Sequence, residues 1–252
     1  SVGWAAVLAA MVCVSRAFRY GDSAEELCLL PLSWSLWALL KALRTGKALS
    51  NREYLLHGLL AGCILWIKYN LLALHFVWMA FLAVDALRAD GGLKRPLGMC
   101  LRFLAGMALA TLPWLIWFGA AGALGDLWNG YFLRNILGYG PRNHGVIAYA
   151  GAGLLRGLGD PWLMAPLLLA MVCALANREV RGREKLALAL IFCAMALAIY
   201  GSGYRFVYYF LPFAVFLPLA AAGASKALGR LRGMPGAAAC ALLIAAAGLI
   251  VA

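Results

Sequence analysis

Acidic residues are scarce in this chain, ten against 22 lysines and arginines in 252 residues, and the apolar runs hold almost none. Coupling transport to protons or sodium needs ionisable groups near the bilayer midplane, so this scarcity counts against it. Seven cysteines (Cys13, Cys28, Cys63, Cys100, Cys173, Cys193 and Cys240) are scattered singly, with no Cys-x-x-Cys pair and no Cys/His ligand spacing. They imply neither a metal centre nor a disulfide framework and read as small buried apolar side chains. Strands of alternating apolar and polar residues are missing, which excludes a β-barrel. No internal repeat of the kind found in transporters built from related halves is present. The first apolar run has no charged segment ahead of it, so it is not expected to be a signal peptide.

What the chain has in quantity is hydrophobicity: 65% of its residues are apolar, 13% are charged, and the mean hydropathy is +0.86. A soluble domain is about 45–50% apolar. A bilayer core about 30 Å thick is crossed by roughly 20 helical residues. Runs near that length cover about 1–17, 24–43, 53–68, 71–87, 97–119, 161–176, 186–200, 204–224 and 235–252. The pattern predicts an all-α, polytopic transmembrane helical bundle with about nine spanning segments in one transmembrane domain, residues 1–252. The chain opens on Ser1 inside one apolar run and stops at Ala252 inside another, so both ends are expected to be internal to a longer protein.

Positive charge alternates between the joints. Lys41, Arg44, Lys47 and Arg52 load one joint; Arg88, Lys94, Arg95 and Arg102 load the next but one. Arg178, Arg181, Arg183 and Lys185, then Lys226, Arg230 and Arg232, load the others, fifteen of the 22 basic residues in all. Short cytoplasmic loops retain Lys and Arg, so this alternation predicts orientation as well as topology. The formal net charge of +12 is thereby explained by topology and anionic lipid, and a nucleic-acid partner is not expected. The opposite face then consists of residues 16–26, a tight hairpin at 68–70, a long stretch 120–160 and a short joint 201–205. The long stretch is too rich in aromatics (Trp128, Tyr131, Phe132, Tyr139, Tyr149) to be disordered. Within it an interfacial helix is expected to begin with Asp126 as N-cap, and Asp160-Pro161 should open the next spanning helix.

Function should show itself among the charged groups of that opposite face. Asp22, Glu25 and Glu26 crowd the mouth of the second spanning helix. Acids favour a helix N-terminus and Ser23 can cap there, but three exceed what capping needs. Lys68 lies between Trp66 and Tyr69 at a helix end, where a lysine can snorkel to water; it is also the only basic residue in its joint, on the side that retains few. Arg205 leads an aromatic segment, with Arg134, Arg142 and His144 in the long stretch. His57 and His75 sit mid-helix, isolated in sequence, and read as packed side chains. Cations at bilayer depth suit a phosphate held at the headgroup plane, and a carboxylate suits proton abstraction from a hydroxyl or a divalent metal. No ligand spacing implies a metal, so the cofactor is left open.

Four segments carry a family resemblance: Gly-Asp-Ser-Ala-Glu-Glu at 21–26, Gly-Leu-Leu-Ala-Gly-Cys-Ile-Leu-Trp-Ile-Lys-Tyr-Asn at 58–70, Tyr-Phe-Leu-Arg-Asn-Ile-Leu-Gly-Tyr at 131–139 and Tyr-Arg-Phe-Val-Tyr-Tyr-Phe-Leu-Pro-Phe at 204–213. In these the chain resembles the GT-C superfamily of polytopic glycosyltransferases, of the protein O-mannosyltransferase and aminoarabinose transferase type, especially bacterial members. The resemblance implies an inverting transfer of a sugar from a polyprenyl-phosphate donor on the extracytoplasmic side of the bacterial plasma membrane. It implies Glu26, Glu25 and Asp22 as a later external acid position, with Lys68 and Arg205 toward the donor phosphate; Arg134 and Tyr69 are expected to join them there. Tyr139, Arg142 and His144 would serve the acceptor or a lid. The family's catalytic acid lies in the first external loop, which no segment here matches, so this fragment is expected to be inactive alone. A secondary transporter, or a non-catalytic partner in envelope assembly, is the alternative.

Overall fold

In the computed structural model, residues 2–18, 23–138, 145–157 and 175–219 are described, with isolated positions between 159 and 172. The expected span 235–252 and the site residues Asp22, Tyr139, Arg142 and His144 lie outside the described residues, as does most of 161–176. Helices α1 (Val2–Val14), α2 (Ala24–Thr45), α3 (Asn51–Lys68), α4 (Ala73–Asp90) and α5 (Lys94–Ala120) follow in order. Next come α6 (Leu124–Leu127), a π-helical turn Trp128–Leu133, α7 (Arg134–Gly138), α8 (Val146–Gly157) and α9 (Gly182–Tyr200). Short 3-10 helices cover Tyr69–Leu72 and Val207–Phe216.

Among the described residues, three helical stretches are long and apolar enough to cross a bilayer: Ala24–Thr45, Asn51–Asp90 and Lys94–Ala120. The second has 40 residues, about 60 Å of helix and twice the core thickness, so it needs a break. The break is at Lys68, whose backbone (φ −157°, ψ 82°) leaves the helical region before the Tyr69–Leu72 turn. The tight hairpin expected at 68–70 is therefore a helical turn that ends at Leu72. Elsewhere local chemistry sets the boundaries. Ser50 and Glu53 form a reciprocal capping box on α3, with Ser50 N donating to Glu53 Oε2 at 2.6 Å. Gly91, in the left-handed region at φ 64°, ends α4 by donating to Leu87 O at 2.9 Å. Pro31 and Pro113, which could have broken helices, lie inside continuous α2 and α5. In a bilayer a proline inside a helix is tolerated where neighbours satisfy the carbonyl it leaves free. Asp126 is not an N-cap: α6 starts at Leu124 behind Ala123, leaving Asp126 inside the first turn.

The chain forms two compact units. One comprises Ser1–Leu29, Leu155–Arg181 and Phe206–Ala252, and the other Leu30–Leu154 with Gly182–Arg205. In the first unit, Ser15 Oγ donates to Val12 O (2.7 Å) at the end of α1. Asp160 Oδ1 accepts from Leu163 N (3.3 Å), the bond expected of a helix-opening aspartate. Phe210, Phe213 and Phe216 are buried.

The second unit has two chemically distinct ends. Arg44 pairs with Glu184 at 3.3 Å, Arg183 pairs with Asp85, and Arg95 pairs with Asp90 at 3.0 Å. Residues 44–51, 85–102 and 183–184, from three of the four basic joints, thus share one end. α3 and α5 run in the same direction between the ends: Gly58 abuts Phe103, Gly62 abuts Met107 and Ala110, and Trp66 Nε1 donates to Thr111 Oγ1 at 3.2 Å. α4 returns antiparallel, and α9 packs along it. The outer face of α5 stays open, with Leu97, Leu101, Leu104, Leu109, Ile116 and Trp117 all exposed. So continuous an apolar stripe is the surface a helix presents to lipid. Lipid also accounts for a departure among the cysteines: Cys28 is buried, but Cys13, Cys63 and Cys193 face outward.

Candidate functional site

The end of the second unit opposite the basic joints gathers aromatic rings beside the helix break at Lys68. The Lys68 break turns Tyr69 and Asn70 out of the α3 ladder, and Asn70 Nδ2 reaches Ala198 O on α9 at 3.4 Å. Trp66, one turn earlier, lies 6.2 Å from Trp114, 5.6 Å from Tyr131 and 6.0 Å from Phe132 between ring centroids. Tyr69 meets Tyr131 edge-on at 6.2 Å. Tyr131 belongs to the π-helical turn, a feature that recurs at functional sites, and its hydroxyl donates to Leu65 O at 2.6 Å. That bond fixes the 124–138 helical stretch onto the last turn of α3. The result is a shelf of four rings, Trp66, Tyr69, Tyr131 and Phe132, at the helix break made by the half-buried Lys68, and Trp66 also meets the exposed Trp114 of α5. Aromatic rings at a helix end are what an interfacial belt requires.

Of the other expected site residues in this unit, Arg134 follows the π-helical turn directly and is exposed. Arg205 is also exposed, in an extended segment after Gly203 (φ 83°). α8 covers that joint: Tyr149 lies over Gly203, where a Cβ would come within 3.1 Å of the ring, and Val146 abuts Gly201. No hydrogen bond or ion pair among the described residues engages the Arg134 or Arg205 guanidinium. Lys68, Tyr69 and Tyr131 thus share a site, with Arg134 one turn from Tyr131. Glu25 and Glu26 belong to the first unit, in the first turn of α2. Glu25 is buried, and half-buried Glu26 accepts from Ser23 Oγ at 3.4 Å.

A second polar constellation lies between the two ends, and sequence reasoning missed it. Ser35 Oγ on α2 is 2.9 Å from His57 Nδ1 on α3 and 3.0 Å from His75 Nε2 on α4. All three residues are buried. Trp78 Nε1 donates to Ser35 O at 2.8 Å, and its ring stacks obliquely on His57 at 5.0 Å. His57 and His75, isolated in sequence, are therefore partners through one hydroxyl. A signal was available: two ionisable side chains inside apolar spans are functional candidates by default. The hydroxyl has one proton, so one imidazole accepts from it while the other donates to it. His75 Nδ1 has no hydrogen-bond partner among the described residues. The tautomers set the two roles: the imidazole that accepts from the Ser35 hydroxyl carries its proton on its other nitrogen, and the one that donates to Ser35 carries it on the nitrogen facing the hydroxyl.

No group of three or more His, Cys, Asp or Glu side chains able to hold a metal ion occurs among the described residues. No family model, no curated protein and no solved structure matches this chain.

Proposed function

We propose that the chain is the membrane-embedded part of a glycosyltransferase that moves a sugar from a polyprenyl-phosphate donor to an extracytoplasmic acceptor in a bacterial plasma membrane. The observation that carries the reading is the half-buried Lys68 at a helix break, in sequence between Trp66 and Tyr69, whose rings both meet Tyr131 at the end away from the basic joints. A cation at that depth is matched to a phosphate, and an exposed apolar α5 beside it to a polyprenyl tail. In this reading Lys68, Tyr69, Arg134 and Arg205 hold the donor, on the extracytoplasmic side of a bundle of about nine spans.

In the full-length gene product, Lys68→Ala and Arg205→Ala are each expected to lower transfer from polyprenyl-phosphate sugar by about tenfold or more, the worth of one charge-assisted hydrogen bond. Unchanged rates in both variants would remove the donor site. Orientation has its own test. A periplasm-active reporter fused after Asn143 and a cytoplasm-active reporter fused after Gly182 should both be active, and two silent fusions would reverse the topology.

One observation favours a second reading, a proton-coupled transporter: the Ser35–His57–His75 chain crosses three helices deep in the unit. Proteoliposomes containing pyranine would separate the two, since a relay predicts proton flux that the transferase does not need.

A further inference from the structure

At the end where the basic joints meet, residues 48–51 and 90–102 enclose an open cavity of about 800 Å³. Lys94, Arg95 and Arg102 line it, with Asp90, Asn51 and Tyr54. Arg95 neutralises Asp90 through 3.0 and 3.2 Å bonds, and Arg102 Nη1 donates to Gly98 O at 2.7 Å. The Lys94 ammonium has no such partner among the described residues, so the cavity keeps a net positive charge. Two features mark the wall as built for an acceptor. Tyr54 is only 2% exposed, yet its hydroxyl makes no hydrogen bond among the described residues, although its ring is fixed edge-on to Trp78 at 6.0 Å. Secondly, the 27-residue α5 starts here behind Leu93, which supplies no side-chain cap; Pro96 has no N–H and Leu97 N donates to Leu93 O at 2.9 Å, so the uncapped first-turn donors are the N–H groups of Lys94 and Arg95, both residues of the cavity wall. The neighbouring α3 start is already closed by its Ser50–Glu53 box.

We infer that this cavity binds a phosphate group carried on a lipid, an anionic phospholipid headgroup, with Lys94, the α5 N-terminus and the Tyr54 hydroxyl as its donors. The lipid source follows from the flank: Leu97 and Leu101 line the same cavity and are 59% and 58% exposed, an apolar exit for acyl chains that a free phosphate would not need. Basic pockets between spanning helices on the cytoplasmic side are suited to such headgroups. The site is independent of the Lys68 shelf, at the other end of the unit, and stands whether or not the chain transfers sugar.

Native mass spectrometry of the detergent-solubilised chain, titrated with phosphatidylglycerol, phosphatidylcholine or inorganic phosphate, tests it. One phosphatidylglycerol is expected to be retained about tenfold more strongly than phosphatidylcholine. Lys94→Gln and Tyr54→Phe should each weaken it about fivefold, while Lys47→Gln, outside the cavity, leaves it unchanged. Tyr54→Phe keeps the ring against Trp78, so its loss of lipid is not a loss of fold. Equal retention of the two lipids, wild-type retention in both cavity variants, or displacement of the lipid by inorganic phosphate at matched concentration would overturn the assignment.

Discussion

Gly106→Ala is expected to destabilise the protein by about 3 kcal/mol, although alanine is the better helix former. A Cβ at Gly106 would overlap the Leu55 carbonyl oxygen and lie 2.7 Å from Leu59 N and 2.9 Å from Gly58 C. Gly58 is the reciprocal case, its Cβ overlapping the Phe103 carbonyl. These obstacles are main-chain atoms of two helices, and no rotamer change moves them aside. Helix association in lipid lacks a hydrophobic drive and depends on close backbone approach at small residues, so separating α3 from α5 removes the contact that holds them. Gly125→Ala is the control: it is helical, a Cβ there meets nothing within 4 Å, and the substitution should be neutral or stabilising by up to about 1 kcal/mol. Tryptophan fluorescence during SDS titration reads both. A Gly106→Ala curve superimposed on wild type, or equal losses in the two variants, would contradict the α3–α5 crossing.

The helices themselves were legible because each apolar run is bounded by chemistry that acts locally. Runs expected at 24–43, 53–68, 71–87 and 97–119 became Ala24–Thr45, Asn51–Lys68, Ala73–Asp90 and Lys94–Ala120, displaced by at most a few residues. Gly91, the Ser50–Glu53 box and the charged joints mark those edges without help from tertiary structure. Pairwise contacts were not legible in the same way. The small-residue spacing Gly58-x-x-x-Gly62 was in plain view as a packing signal, but nothing in one helix says that Gly106 and Ala110 of another will face it. Charge was legible as a count and not as a partnership: Arg44 and Arg183 fit an alternation of joints, yet they also pair with Glu184 and Asp85. At the candidate site the sequence singled out Lys68 and Tyr69. It could not supply Tyr131 as the residue that ties the 124–138 stretch to α3, because that bond spans 66 positions.

Ser35→Ala should cost about 2–3 kcal/mol, and the sign of its coupling to the histidines tests what the buried chain is for. Interhelical hydrogen bonds in membranes average about 0.6 kcal/mol, so the two lost bonds alone account for little more than 1 kcal/mol. The rest comes from leaving two imidazole nitrogens, His57 Nδ1 and His75 Nε2, buried without the hydroxyl they share. Removing every partner at once leaves no such orphan. Ser35→Ala combined with His57→Leu and His75→Leu is therefore expected to be no less stable than Ser35→Ala alone, an outcome far from additive. SDS titration of the variants gives the stability coupling, and pyranine-loaded proteoliposomes give the proton flux. If the triple variant is as stable as Ser35→Ala and wild type shows no flux that the variant lacks, the cluster serves only to join α2, α3 and α4. If stability is retained and a wild-type flux disappears, the hydroxyl passes protons between His75 and His57, and the transporter reading displaces the transferase. Additive losses across the three substitutions would mean that Ser35 does not bridge the imidazoles at all.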